Sequence, residues 1–543
     1  MYGETVAQYC KRRHSEMKSD RSNFEDLWED IARFLIPNRG DFNTKNQPGI
    51  RRHRHILDST GTWAAEQLSN FLYGALTNPA SHWFALGVYN PELMRREDVR
   101  RYLSLATAHM YSIFNNPRKK FYDHSHEVYN DIVPFGTGIL FMEDRPGAGM
   151  SFRARALREV FLDEDYDGNV DVASREFDLT VRQLAQQFGE DALPDDIRRI
   201  VNKEAHRKFT VLHCIYPKDT TDLADMSRSN RMPYASIYSL MEKEHKLREG
   251  GFRRFPVLAP RWTKRSDEIY GRGPGSIALA EVRMLQKMKE TTLKGGQKVV
   301  DPPLQVPDNT FLSPLNLTPG AVNYYNPIFD GDGAKPIITD SRPDFGVDLM
   351  DREKEAILRA FYADKLSSNK NPNVEQTRAE FLGDQNERLL LMAPQLGRMH
   401  TEYIGPLIEQ TYFVERVTNR LPEPPEVLRG QPLVVQYKSP LARAQQLQRL
   451  QAVTGAVNDI VPMAQVFPEM LDSVDPDGLS QWIFMSHDTP AEVLRPEDEV
   501  ARRREERKQQ QEMQARLEQA EMGSKAVANV SKAMPQGGGR VAR

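Results

Sequence analysis

The stretch from Tyr270 to Pro303 reads YGRGPGSIALAEVRMLQKMKETTLKGGQKVVDPP, and it constrains the fold more than any other part of the chain. A Gly/Pro-rich turn (Gly271, Gly273, Pro274, Gly275) opens directly into a helical run of about twenty residues. Gly295 and Gly296 are expected to stop that run, and an extended, Pro-bounded segment follows. Ile277, Ala280, Met284, Leu285 and Met288 recur at helical spacing as one apolar stripe. Leu279 and Val282 put apolar surface on a neighbouring face. A helix apolar on two faces needs neighbours on two sides. On these residues alone, an ordinary core helix is the simpler reading.

The chain has 543 residues, more than one average domain, so two or more structural units are expected. Hydrophobic residues make up 39% and charged residues 27%, lean for a globular monomer. Either part of the chain is extended, or other subunits complete its burial. The net charge of −3 excludes a general electrostatic magnet for nucleic acid. Two cysteines, Cys10 and Cys214, make no disulfide scaffold and fit a reducing compartment. No signal-peptide core and no membrane-span window is apparent, so a soluble cytoplasmic protein is expected.

Residues 1–135 read as helical. Phe24, Leu27, Trp28, Ile31, Phe34 and Leu35 follow helical spacing up to Pro37. A second helix from about Ser59 turns Trp63, Leu68, Phe71, Leu72 and Leu76 inward, and two more are expected near 91–114 and 119–134. The period then changes. Short strands fit Ile139–Met142, Phe152–Ala156, Val160–Leu162, Val170–Ser174, Val211–Tyr216 and Tyr234–Met241, with a hairpin turn at Asp167-Gly168 and short helices at 180–188 and 195–206. Helices first and strands after suggest an α+β body. Residues 297–345 are too rich in proline for helix, and strands at Val299–Val306, Ala321–Tyr325 and Pro336–Thr339 are expected. A helix from Phe345 to about Ala363 has Val347, Met350, Ile357, Leu358 and Phe361 on one side. Two helices flanking a compact insertion imply a module on a two-helix stalk. A long helix beyond 373 would be kinked at Pro394 and Pro406 and span about 65 Å. Residues 497–522 form a polar helix, and a Gly-rich tail follows.

Four segments, in chain order, resemble the portal proteins (head-to-tail connectors) of short-tailed bacteriophages. They are TGTWAAEQLSNFLYGALTNPASHWFAL (Thr60 to Leu86), DIVPFGTGILFMED (Asp131 to Asp144), the Tyr270 stretch, and LVVQYKSPLARAQQLQRL (Leu433 to Leu450). The resemblance covers roughly residues 1–490 and implies an α+β, helix-rich subunit. It implies a wing (1–270), a first stem helix (271–296), a clip (297–345), a second stem helix (346–363) and a tunnel loop (364–373). A long wing helix with its linker (374–432), a crown (433–496), and a charged C-terminal helix and tail (497–543) follow. It further implies a ring of twelve identical subunits at a capsid vertex, assembled in the host cytoplasm with capsid and scaffolding proteins. That ring would pass double-stranded DNA and dock first the terminase motor, then tail adaptor proteins. No catalytic residue, metal, cofactor or membrane is implied.

Each candidate for chemistry has a plainer counterpart. Gly271-Arg272-Gly273-Pro274-Gly275 precedes a helix but lacks the Lys-Ser/Thr of a phosphate loop, so a helix-start turn is favoured. Asp163, Asp165, Asp167 and Gly168 match half of a calcium loop, but Ser174 stands where Glu is required, so an acidic hairpin tip is favoured. His53/His55 and His124/His126 lack a third ligand. No nucleophile elbow, zincin or kinase signature appears. Lys287, Lys289, Lys294, Lys298, Lys365 and Lys370 gather around the stalk and the loop after it. Lys294, Lys298, Lys365, Lys370 and Asn371 are the candidates for facing DNA in a channel without sequence readout. Solvated lysines on an exposed stalk fit the same pattern. The alternatives are a metal-dependent nucleic-acid hydrolase centred on DEDYDG and a non-portal helical adaptor.

Overall fold

Helix α1 (Val6–Phe34) begins at a capping box: the Thr5 hydroxyl accepts from Gln8 N, and the Gln8 side chain accepts from Thr5 N. The apolar pattern at 24–35 marks only its end. Its first half buries Ala7, Cys10, His14 and Met17. In the computed structural model, residues 5–43, 49, 52–145, 147–218, 232–300, 304–305, 316, 335–336, 343–366, 390–438, 450, 452–460, 462, 475–486, 495, 499–514 and 516–517 are described. The chain forms two compact units. The first comprises Met1–Ala85, Ala108–Leu421 and Val435–Gln445; the second comprises Leu86–Thr107, Pro422–Val434 and Gln446–Arg543.

A helical layer and two antiparallel sheets build the first unit. The remaining helices of the layer are α2 (Thr60–Leu76), α5 (Phe121–Phe135), α8 (Pro274–Val300) and α9 (Pro343–Ala360), numbered after α3 (Pro91–Arg95), α4 (Glu97–Phe114), α6 (Val181–Phe188) and α7 (Asp195–Arg198). On α2 the buried face is Ala64, Ala65, Leu68, Leu72 and Leu76. Trp63, expected inward, is exposed. Strand β1 (Phe84–Val88), unforeseen by the helical reading of 1–135, pairs with β12 (Leu433–Tyr437).

The smaller sheet has the order β3-β2-β9, from β2 (Leu140–Arg145), β3 (Gly149–Ala154) and β9 (Val257–Leu258). The larger has the order β4-β5-β6-β7-β8, from β4 (Val160–Glu164), β5 (Val170–Thr180), β6 (Lys208–Pro217), β7 (Tyr234–Leu240) and β8 (His245–Phe252). Alternation along β6 sends its side chains to two separate cores. Val211 joins Leu184, Ile197, Leu240 and Leu247 under α6 and α7. Leu212 and Cys214 join Cys10 of α1 and Ile237. The α1 side also holds a polar contact: His14 lies 2.9 Å from Ser174 Oγ and 3.0 Å from Glu176, which Lys18 approaches at 3.2 Å.

The expected elements are largely present, with informative departures. Gly295 and Gly296 do not stop α8; it continues to Val300, so Val299 is helical rather than strand. Glycine weakens a helix but leaves every backbone donor in place, and a Cβ at either glycine would meet nothing within 4 Å. Proline removes a donor, and the helix ends ahead of Pro302 and Pro303. Beyond it, β10 (Leu304–Gln305) pairs antiparallel with β11 (Lys335–Pro336); the expected strand Ala321–Tyr325 lies outside the described residues. α9 buries Met350 and Ile357, with Phe361 just past its end, but leaves Val347 exposed. The loop expected from 364 begins instead as a short helix, α10 (Ala363–Leu366). The helix expected at 195–206 stops at Arg198. Pro394 and Pro406 do not kink one long helix: each sits in the first turn of its own, α11 (Ala393–Met399) and α12 (Gly405–Val417), with a π-helical turn His400–Ile404 between them. That placement costs no intrahelical donor. In the second unit, 452–460, Pro476–Ser486 and 499–514 are helical, the last exposed from 501 onward.

Two predictions follow the α1 docking and the α8 glycines. The contact with His14, then the charge of Lys18, hold the Glu176 carboxyl down at about 2. A depressed carboxylate stabilises the fold above its ordinary value of 4.5 and loses that contribution as pH falls toward 2. Glu176→Gln should flatten thermal melts across this window, by about 3 kcal/mol at most. Gly295→Ala should raise stability by about 1 kcal/mol, whereas Gly273→Ala should lower it by about 3 kcal/mol, because its Cβ would lie 2.4 Å from Val133 O. Chemical denaturation of the two variants gives opposite signs.

Candidate functional site

Two glycine-rich turns pack main chain on main chain at the start of α8. Gly136, at φ +85°, closes α5, and a Cβ there would lie 2.5 Å from Gly271 and Arg272 backbone atoms. A Cβ on Gly271 would meet Gly136 O at 2.4 Å, and one on Gly275 would meet Pro134 O at 2.5 Å. Gly271 N donates to Thr137 Oγ1, Trp262 N to Gly136 O, and Gly138 N to Pro260 O. The Gly271–Gly275 turn is therefore filled by protein, and no space remains for a phosphate. The expectation of a helix-start turn is met.

From that turn α8 emerges with its rotation fixed. Ala278, Leu279, Val282, Leu285 and Gln286 are buried against the chain's own helices. At Gly61 of α2 a Cβ would come within 3.0 Å of Val282. Gln286 Oε1 accepts from Leu57 N at 2.7 Å and Asp58 N at 3.0 Å, and its Nε2 donates to Asp58 O at 2.6 Å. The stripe singled out from the sequence is divided by this arrangement: Leu285 is buried, but Ile277 is 68% and Met284 46% exposed. A second apolar face thus remains uncovered.

Opposite the buried face, Lys287, Lys294 and Lys298 are exposed at i, i+7 and i+11, one strip along the helix. Glu290 bridges Lys294 at 2.5 Å and Lys287 at 2.9 Å, and these contacts hold its carboxyl at about 2. Among the described residues Lys298 forms no ion pair. Of the other candidates, Lys365 lies on α10, where only the backbone is described, and Lys370 and Asn371 lie outside the described residues.

The family model for the bacteriophage head to tail connecting protein matches residues 7–494. The chain belongs to that family. A portal protein of Salmonella phage epsilon15 is 31% identical over 522 residues, covering 94% of this chain and 93% of its own. A probable portal protein of Bordetella phage BPP-1 is 29% identical over 521 residues, with 94% and 93% covered. Among solved structures, a chain from the virion of a native gene transfer agent particle aligns at a TM-score of 0.35 and 11% identity, covering 80% of this chain and 89% of its own.

In this connector the acidic DEDYDG motif is a closed hairpin tip. Asp163 pairs with Arg13 at 2.5 Å, and Glu164 pairs with Arg261 and, at 2.7 Å, with Lys264. Asp165 accepts from Asp167 N and Asn169 N, which with burial opposing them lower its pKa. Internal cations and amides occupy the carboxylates of Asp163, Glu164 and Asp165, and no cluster of metal-ligating residues occurs among the described residues. His126 contacts Asn70, and His53 and His55 lie in an exposed 3-10 turn. Sequence reasoning missed Gln286, Thr137 and Arg261. Arg261 is 4% exposed and bonds Glu402, Glu164 and the carbonyls of Ile269 and Gly168. Of the three only Thr137, alone in a Gly-rich apolar run, is marked in the sequence.

Gln286→Leu keeps the volume of this α8 contact but leaves the Leu57 and Asp58 amides unpaired. It should cost about 2–3 kcal/mol, read as a fall in melting temperature with helix content retained.

Proposed function

We propose that this chain is the repeating subunit of a closed ring at one vertex of a phage capsid, a conduit for double-stranded DNA during packaging and ejection. As a head to tail connecting protein it is structural, not an enzyme, and belongs to the phage particle. The observation that carries the ring is the second apolar face of α8. Its own chain covers Ala278, Val282 and Leu285, while Ile277 and Met284 stay exposed. Two unlike surfaces on each subunit are what a heterologous, closing contact requires.

On this reading α8 and α9 form the stem, and the segment between them is the clip, which meets the terminase motor and then tail adaptor proteins. Residues 1–270 with 374–432 form the wing, 433–496 the crown, and the polar helix beyond points into the capsid. Assembly takes place in the host cytoplasm with capsid and scaffolding proteins. Lys287, Lys294 and Lys298 line the channel and meet phosphates without reading sequence. Glu290 moderates that strip, which suits DNA that must slide rather than bind. Lys365, Lys370 and Asn371 are further candidates for meeting DNA in that passage.

Negative-stain microscopy with mass photometry tests the ring. Closed rings of about twelve copies of the 62.2 kDa chain are expected; a monodisperse monomer or dimer sinks the proposal. Lys294→Glu with Lys298→Glu should leave rings intact while lowering DNA retention in assembled particles. Unchanged retention removes the lysine strip from the mechanism, and Lys370→Glu probes the tunnel loop in the same assay.

A further inference from the structure

A charged row crosses one face of the five-stranded sheet. The register sets Arg175 opposite His213, His213 opposite Tyr238, and Tyr238 opposite Arg248. Residues paired this way share a face. The His213 ring stacks on Tyr238 with centroids 3.8 Å apart, so an arginine flanks each end of an aromatic pair. Arg153 and Arg155, at the end of β3, line the same groove. Burial, then the charges of Arg175 and Arg153, lower the Arg155 guanidinium to about 9. Burial, with Arg175, Arg155 and Arg248, holds His213 neutral.

Among the described residues only one of these four arginines is paired with a carboxylate. Arg175 pairs with Glu159 at 2.8 Å; among the described residues Arg153, Arg155 and Arg248 form no ion pair. Like charges gathered in a groove are costly until an anion neutralises them. The groove is roomy, about 1690 Å³. Its lining also carries eight carboxylates, Glu143, Glu176 and Asp178 among them, which oppose a polyanion such as duplex DNA. A short segment with one or two carboxylates and an aromatic body fits both conditions.

The chain itself carries such a segment. At the β4–β5 tip, Tyr166 is 97% exposed between Asp165 and Asp167. Asp165 accepts from Asp167 N at 3.0 Å, Asn169 N at 2.8 Å and the Asn169 amide at 3.2 Å, so the tip is preformed. A tyrosine, with only two side-chain torsions, on a preformed turn costs little entropy to dock. We propose that the arginine groove of one subunit receives the Asp165-Tyr166-Asp167 tip of its neighbour, an inference that rests on the ring reading. Asp167 neutralises the Arg153/Arg155 pair, and Tyr166 packs against Tyr238 and Phe177.

The test uses full-length protein with p-benzoylphenylalanine installed at Tyr166, irradiated after assembly and analysed by peptide mass spectrometry. Crosslinks between subunits to peptides holding Arg153–Arg155, Phe177 or Tyr238 are expected. Rings that form normally but crosslink elsewhere, or to another protein only, or not at all, overturn this inference and leave the ring reading standing. Absence of rings in unmodified protein overturns both. As a second arm, Asp167→Arg and Arg155→Glu should each weaken ring assembly about tenfold, and the double reversal should restore it; losses that simply add count against the contact.

Discussion

The approach of two main chains at the Gly136 and Gly271–Gly275 turns is the contact on which the rest of this subunit depends. Side chains are absent there by necessity: added Cβ atoms would sit 2.4–2.5 Å from backbone atoms of the opposing turn at Gly136, Gly271, Gly273 and Gly275. Gly136 also occupies the left-handed region, which strains any other residue. Because the contact is backbone on backbone, it has no rotamers with which to adjust. It therefore fixes both the direction in which α8 leaves the body and the angle about its own axis.

Buried cations secure the body around that contact. Arg261 reaches two glutamates and two carbonyls, and Arg21 reaches Glu25 together with the carbonyls of Leu157, Arg158 and Val160. A guanidinium removed from water is tolerable only when its donors are satisfied this fully. The Arg21 guanidinium also lies 3.6 Å from the Phe161 ring centroid, adding a cation–π contact. Such networks contribute specificity of arrangement more than net stability. The exposed ion pairs along α8, in contrast, add little to folding.

What the sequence reveals follows from the range over which each constraint acts. Helices α2, α5, α8 and α9 are legible because a 3.6-residue apolar repeat is local. Strand β8 is not, since His245–Phe252 is a mostly polar edge with no alternation, held by its pairing with β7. β1 is missed because Phe84–Val88 is a short apolar run whose partner lies near residue 435. The α8 stripe is legible as apolar, yet periodicity alone cannot say which of two overlapping faces the chain covers itself. The DEDYDG motif shows ligand-type residues, while Arg13, Arg261 and Lys264, which occupy them, come from distant elements. The same limit hides the arginine row, whose members share a face only through the register of four strands.

The angular layout of α8 ties these constraints to function. Successive residues turn about 100°, so Ala278, Val282 and Leu285 face inward, Ile277 and Met284 lie to one side, and Lys287, Lys294 and Lys298 lie opposite the core. Three unlike surfaces share one cylinder, and a rotation that brought each preceding residue inward would set Ile277 and Met284 in the buried places of Ala278 and Leu285. Gln286, buried and bonded to Leu57 and Asp58, opposes that rotation midway along the helix, and the glycine turns oppose it at the start. The exposed apolar face and the exposed lysine strip are consequently not independent properties. Both are set by the same glycines, which is why residues with no side chain carry the geometry of the whole helix.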